Sequence, residues 1–358
     1  MTAIRVGYIR DFRTDLVFFL TLPLVAIGIA LGCHAWLSFA AVASFNLWIT
    51  VPHHFATWYR AYSLREDWSR WKLRFIVGPT VITLLTLCCT IWAPLTALLV
   101  FTIWDHQHSM MQQHGFARIY DYKAKAGSRA MGKWDLWLGI LLYSNMLLTS
   151  PLWAEFWIRE LYRWNLPISA ANVQLVQTVS WSVAIGYLAI YLAQVVYGLV
   201  ARGESVNPMK YLFLCSSYGL WYFASWHSDS TLVYGIAHRI MHGVQYMVIV
   251  YFYLDQKAKN KDNDRLATFG IWKYVALAAL YLLLYQLFSG NPLNQFDFGI
   301  SHLFGDYSTI PELGLNELSD NRARDVYAAT LASSFAMTHY YFDSFIWKVS
   351  DAKTQEGL

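Results

Sequence analysis

The feature that most constrains the fold of this chain is a series of apolar runs that are long enough to cross a lipid bilayer. A helix needs about 20 apolar residues to span a hydrocarbon core of about 30 Å. Runs of suitable length lie near residues 15–33, 35–52, 75–92, 94–114, 135–152, 173–200, 210–226, 231–253, 272–289 and 326–347. We therefore predict an all-α protein, a polytopic transmembrane bundle of about ten helices.

Composition supports a single integral membrane domain over residues 1–358. The chain is 56% hydrophobic and only 14% charged, whereas soluble domains carry about 25% charged residues. Its four cysteines lack a CxxC pair and are typical of small buried hydrophobic side chains. The longest polar stretch, residues 290–325, has an acidic excess and is predicted to be an external loop or cap. Membrane lipids are the expected surroundings, and no nucleic-acid partner is expected.

The distribution of Lys and Arg predicts the orientation of the helices, because basic residues collect on the cytoplasmic side of membrane proteins. With ten spans and a cytoplasmic N-terminus, 22 of the 27 basic residues fall in cytoplasmic segments and 4 in external ones, while Arg239 lies within a span. This asymmetry predicts that both termini are cytoplasmic. It also favours the inner membrane of a bacterium as the location.

Eight of the eleven histidines occur in four clusters within or at the ends of the apolar runs. Ionisable side chains are rare inside membrane spans and usually mark functional sites there. On the predicted topology, all four clusters lie toward the cytoplasmic side. We therefore predict that the eight are metal ligands: His53 and His54; His106, His108 and His114; His238 and His242; and His339.

Helical geometry limits which of these histidines can converge. His238 and His242 are four residues apart and project from one helix face, where they could share a metal or only hydrogen-bond to their neighbours. His106 and His108 project roughly 200° apart, and His114 lies roughly 80° from His106. Either the helix is interrupted between residues 105 and 114, or only some of these three histidines are ligands.

Three polar residues close to the histidines are candidates to accept hydrogen bonds from ligating imidazoles and so orient them. Ligating imidazoles usually donate their other N–H to a carboxylate, a carbonyl or water. Asp343 follows His339 at the i+4 position, Gln245 lies on the face of His242, and Asp105 directly precedes His106. The chain itself identifies no catalytic residue.

Imidazole-rich sites suit iron, zinc, copper or nickel, and the absence of a cysteine pair argues against structural zinc. Two alternatives remain at this point. A haem- or quinone-binding electron-transfer protein would also use membrane histidines, although bis-histidine haem requires fewer of them. An ion or small-molecule transporter would place ionisable residues along its path, although no internal repeat is evident.

The histidine clusters resemble the histidine boxes of membrane-bound non-haem di-iron desaturases and hydroxylases. A second resemblance, carried by Pro52-His53-His54 and by His339 with Asp343, is to Brp/Blh-type carotene dioxygenases. Either resemblance implies one or two iron ions, O2 as co-substrate, and desaturation, hydroxylation or cleavage of a lipophilic substrate. The desaturase resemblance further implies a cytoplasmic electron donor.

Overall fold

A computed structural model describes residues 4–37, 39–228, 230–259, 269–289 and 322–358. Within these ranges the ordered structure is helical, and an isolated bridge between Ile4 and Val206 is the β contact found. The helices are α1 (Phe12–Trp36), α2 (Phe39–Ser63), α3 (Arg65–Trp92), α4 (Pro94–Ala124), α5 (Arg129–Thr149), α6 (Pro151–Arg163), α7 (Ala170–Ala201), α8 (Pro208–Trp226), α9 (Thr231–Lys259), α10 (Ile271–Ser289), α11 (Arg322–Ile346) and α12 (Ala352–Gln355). Most of the predicted loop at 290–325 lies outside the described residues.

Among the described residues, each apolar run predicted from the sequence coincides with a helix, so the all-α fold class is confirmed. Pro94 begins α4, as expected of a residue whose missing N–H costs nothing in the first turn of a helix. The helix α6 was not predicted, because it is short and amphipathic. Several helices begin at side-chain caps: Ser128, Ser150 and Ser169 accept hydrogen bonds from the first turns of α5, α6 and α7.

Three helices are long and apolar enough to cross a membrane: α1, α3 and α7. A fourth span is counted if α5 and α6, which meet at a bend of 73°, form one broken segment. These counts refer to the described ranges. The helices that carry the predicted histidine ligands, α2, α4, α9 and α11, are not among the three, because their polar residues lower their mean hydropathy.

The chain divides into two compact units. The first unit comprises residues 1–32 and 109–241, and the second comprises residues 33–108 and 242–358. In the first unit, α5 packs along α7 and contacts α8. Met131, Leu138 and Tyr191 form a buried cluster there, with Trp134 and Tyr187 packed against it.

In the second unit, α11 packs against α2, α3 and α10, and α2 also contacts α3 and α10. Two apolar clusters hold these helices together. One contains Phe75, Phe342 and Phe345, surrounded by aromatic side chains of α2 and α3. The other contains Val51, Leu282 and Tyr285. These contacts fix the helices that carry His53 and His339 relative to each other.

Ion pairs hold the C-terminal segment of the second unit. Lys257 Nζ lies 2.8 Å from Glu66 Oε1 and 2.9 Å from Glu356 Oε2, and Arg70 pairs with Asp351. The hydrogen bond from Lys257 lowers the pKa of the Glu356 carboxyl, and the hydrogen bond from Arg70 lowers the pKa of the Asp351 carboxyl. The segment after α11 is therefore fastened to α3 and α9.

Candidate metal site

Four histidines from four helices of the second unit meet in its interior: His53 of α2, His108 of α4, His242 of α9 and His339 of α11. We call them the four-histidine group. Their ring centroids form a closed quadrilateral, with 4.6 Å from His53 to His339 and from His339 to His108. The other two sides, from His108 to His242 and from His242 to His53, are 5.1 Å long. All four residues are buried.

A glycine permits the close approach of α9 to α2 at this point. A Cβ atom at Gly243 would lie 3.3 Å from the Cβ of His53 and 3.5 Å from its Cγ. This is tighter than ordinary side-chain contacts, so a larger residue would displace His53. The glycine next to His242 therefore helps to bring these two imidazoles together.

The hydrogen bonds of His53 assign its tautomer. Its Nδ1 lies 2.7 Å from the carbonyl oxygen of Thr50. A carbonyl oxygen only accepts, so Nδ1 carries the proton and Nε2 of the neutral ring carries a lone pair. That Nε2 faces the Nε2 of His339 at 3.0 Å.

A hydroxyl and a carboxylate assign the tautomer of His339. Tyr246 donates its phenol proton to Asp343 Oδ1 over 2.6 Å. The Thr57 hydroxyl lies 3.2 Å from the same Oδ1 and 2.6 Å from the Tyr246 oxygen. Because the Tyr246 proton is given to Asp343, the hydrogen between the Thr57 and Tyr246 oxygens is supplied by Thr57. The Thr57 oxygen then accepts from His339 Nδ1, which it contacts directly.

Two lone pairs therefore point at each other between His53 and His339. Nitrogen donors that share one ion, each at about 2.1 Å, are separated by roughly 3.4 Å in tetrahedral coordination. The observed 3.0 Å is close to this separation. In a buried site with neutral imidazoles, a cation between the two Nε2 atoms removes their repulsion. The residues present therefore fit a bound metal ion.

The possible donor set extends beyond these two rings. His53, His242 and His339 offer nitrogen atoms that all lie within 4.8 Å of one another. His108, His339 and Asp343 offer a second group within the same limit. Asp343 Oδ2 lies 3.7 Å from His339 Nδ1 and 4.0 Å from His108 Nε2. Asp343, predicted to orient a ligating imidazole, thus also lies close enough to the donors to contact the ion.

Asp105 is connected to the four-histidine group through the side chain of Tyr340. The Tyr340 hydroxyl donates to Asp105 Oδ1 over 2.6 Å, and the Tyr340 ring stacks on His108 with a centroid separation of 4.5 Å. Asp105 therefore holds the ring that covers one face of His108. Gln245 is fully buried one turn after His242, as expected of a residue on that helix face.

His54 and His106 are buried in the second unit outside both donor groups. The His54 ring lies beside the site, 4.5 Å from His53 and 5.2 Å from His339 between centroids. His106 precedes His108 on α4, which continues as a helix from Pro94 to Ala124. The interruption that could have brought His106, His108 and His114 together does not occur in this helix.

Two predicted ligands, His114 and His238, belong to the first unit. Both nitrogens of His238 are used in that unit, because Trp221 Nε1 donates to its Nδ1 over 2.7 Å and its Nε2 lies 3.0 Å from Ser109 Oγ. An indole N–H only donates, so His238 Nε2 carries the proton and donates to Ser109. The HxxxH pair therefore divides, with His242 in the four-histidine group and His238 in an aromatic environment.

Sequence reasoning missed Thr57 and did not assign a role to Tyr246. A signal for both was present. Three of the four histidines are followed at the i+4 position by a residue with a hydroxyl or carboxyl group, namely Thr57 after His53, Tyr246 after His242 and Asp343 after His339. On a helix this spacing stacks the second residue one turn beyond the first. The three oxygen atoms consequently form a layer adjacent to the histidines.

Comparison with known proteins does not assign the chain to a family. The chemistry of the four-histidine group must therefore be inferred from its own residues. No protein-family model matches the chain, and no curated protein and no solved structure is significantly similar to it.

Proposed function

We propose that the protein is an integral membrane, metal-dependent oxidoreductase whose four-histidine group binds iron. The observation that carries this proposal is the pair of Nε2 atoms of His53 and His339, which face each other at 3.0 Å with both Nδ1 atoms bonded to oxygen. Neutral imidazole donors suit iron, and they leave the charge of a ferrous ion largely uncompensated. When bound, iron would supply the activation of O2.

The substrate proposed is lipophilic. The four-histidine group is buried in a unit whose neighbouring clusters are rich in aromatic and aliphatic side chains. Desaturation, hydroxylation or cleavage of a hydrocarbon chain or polyene suits such surroundings. The quadrilateral of donors supports one ion more directly than two, because both donor groups share His339.

The proposed location is the inner membrane of a bacterium, with about ten spans and both termini in the cytoplasm. An electron donor would then reach the protein from the cytoplasm. Accessibility of single cysteines introduced at Lys125 and at Asn165 tests this topology. Opposite sides are expected, because Lys125 lies in a basic segment and Asn165 in a segment assigned to the outside. Labelling of both positions from the same side would contradict the topology.

Metal analysis of the purified protein tests the proposed function. We expect iron in the protein, no Soret absorption, and consumption of O2 when a lipophilic substrate and a reductant are supplied. The variants His53→Ala and His339→Ala should lose the iron, whereas His227→Ala, which alters an exposed residue after α8, should retain it. Iron that persists in both site variants would contradict the proposal.

Haem is less compatible with this group. A haem bound by two histidines requires one imidazole on each face of the macrocycle. The four rings instead lie edge to face, for example at an interplanar angle of 84° between His53 and His339 and 83° between His108 and His242. Their centroid separations leave no layer for a porphyrin between them. A strong Soret band would favour this alternative.

A further inference from the structure

The hydroxyl of Thr57 occupies the centre of a hydrogen-bond chain between a candidate ligand and a carboxylate. Thr57 is fully buried, as is His339, and its Oγ1 contacts His339 Nδ1. The same oxygen lies 3.2 Å from Asp343 Oδ1 and 2.6 Å from the Tyr246 hydroxyl. Among the described residues, Thr57 is the hydroxyl partner of His339 Nδ1.

The carboxylate end of this chain is held by a second donor. Tyr246 donates to Asp343 Oδ1 over 2.6 Å, and Trp347 Nε1 donates to the Tyr246 oxygen over 3.1 Å. The indole of Trp347 therefore holds the Tyr246 oxygen in position. Asp343 consequently has a fixed oxygen with which to orient the Thr57 hydroxyl.

A further contact fixes the helix that carries Asp343. Arg60 lies two turns after His53 on α2, and its Nη2 donates over 2.5 Å to the carbonyl oxygen of Ile346, at the end of α11. Its guanidinium carbon lies 3.6 Å from the ring centroid of Trp347. The register of α2 against α11, on which the contact between Thr57 and Asp343 depends, is therefore set by two layers of hydrogen bonds.

We propose that Thr57 is a positioning residue that holds His339 in the Nδ1–H tautomer and so directs its Nε2 lone pair to the metal ion. The chain runs from His339 Nδ1–H to the Thr57 oxygen, and from the Thr57 proton through Tyr246 to Asp343. This proposal rests on the proposed function, because it requires an ion in the four-histidine group. It assigns Asp343 the role of orienting His339 through a hydroxyl.

Replacement of the hydroxyl at constant side-chain size tests this role. Thr57→Val should weaken the binding of Fe2+, measured anaerobically by competition with a chelator, by about 10–100-fold, the usual effect of removing an outer-shell partner. Thr57→Ser keeps the hydroxyl and should restore affinity to within a few-fold of the parent protein. The matched control is Thr330→Val, which alters another buried threonine of the second unit.

A double variant distinguishes positioning from a general structural role. If Thr57 acts through Asp343, then Thr57→Val combined with Asp343→Asn should weaken Fe2+ binding by less than the product of the two single effects. Independent effects that multiply would contradict the chain. If Thr57→Val is not recovered in folded form, Thr57→Ala compared with Thr57→Ser makes the same test, and the melting temperature reports any structural loss separately.

Two failures can be told apart. A parent protein that binds no Fe2+, or one that keeps its affinity in His53→Ala and His339→Ala, would overturn the proposed function. A parent protein that binds Fe2+ and loses it in the histidine variants, but retains full affinity in Thr57→Val, would overturn the role of Thr57 alone.

Discussion

The buried ion pairs of the first unit and the four-histidine group of the second unit both place polar side chains among apolar helices, but they differ in how their charges are balanced. In the first unit, Lys210 Nζ lies 3.2 Å from Asp121 and 3.1 Å from Asp135, and Arg118 Nη1 lies 2.7 Å from Asp121. Tyr191 donates to Asp135. Two cations thus face two carboxylates.

The second unit has no such balance within the four-histidine group. His53 and His339 direct lone pairs at each other, and within the described part of the chain Asp343 is paired with His108 and His339 and with no Lys or Arg. A buried polar cluster whose charges and hydrogen bonds are matched internally supports the fold. One that directs two lone pairs at a common point is suited to bind a cation. The following predictions test this difference.

The largest expected contrast is between the two histidines of the HxxxH pair. His242→Ala should deplete the bound metal, because it removes one corner of the quadrilateral. His238→Ala should retain the metal and lower the free energy of unfolding by about 1–3 kcal/mol, because the buried Trp221 indole loses its acceptor. Metal content and thermal melting of both purified variants provide the measurement. Metal loss in His238→Ala with retention in His242→Ala would invert the assignment.

The ion-pair cluster should show the opposite pattern. Lys210→Met leaves two neighbouring carboxylates buried without their shared cation and should cost about 3–5 kcal/mol of stability. The folded fraction should bind metal as tightly as the parent protein does. The exposed Lys133 on α5 provides the matched control, since Lys133→Met should change stability by less than about 0.5 kcal/mol. Equal stability of the two variants would show that the cluster is not structural.

A smaller effect is expected at Gly243. Gly243→Ala places a Cβ 3.3 Å from the Cβ of His53 and should shift that residue by a few tenths of an ångström. Metal affinity should fall by less than about ten-fold, below the loss caused by removing an outer-shell partner entirely. Gly219→Ala is the control, because nothing lies within 4 Å of a Cβ at that position. Equal affinity in both variants would mean that the approach of α9 to α2 is not limiting.

The smallest effect concerns pH. The folded pKa values of Asp351 and Glu356 lie below their unfolded values, so their stabilising contribution is complete above the unfolded pKa values of about 4. It is lost as pH falls through the lower, folded values. The difference in melting temperature between the parent protein and Arg70→Gln should therefore shrink below about pH 4. A difference that is constant from pH 7 to pH 3 would rule out this linkage.

The sequence predicted more of the fold than of the site. Hydrophobic runs determine where helices form, and this local property was sufficient to locate the helix-forming segments, from the run at 15–33 to the run at 326–347. Helix α6 was not predicted, because its 13 residues form an amphipathic helix and an amphipathic pattern does not indicate a membrane span. At the site, spacing predicted that His106, His108 and His114 would not converge on an uninterrupted helix, and the continuous α4 agrees with this.

What the sequence by itself determined is the all-α fold class, the helix-forming segments and the pool of histidines, because these depend on composition and on a period of 3.6 residues. Tertiary structure decided which histidines meet. His238 and His242 share a helix face, yet Trp221 and Ser109 bind one while His53 and His108 surround the other. Thr57 likewise acquired its partners His339 and Asp343 from a helix more than 280 residues away. Contacts between distant segments depend on how helices pack, which no local pattern specifies.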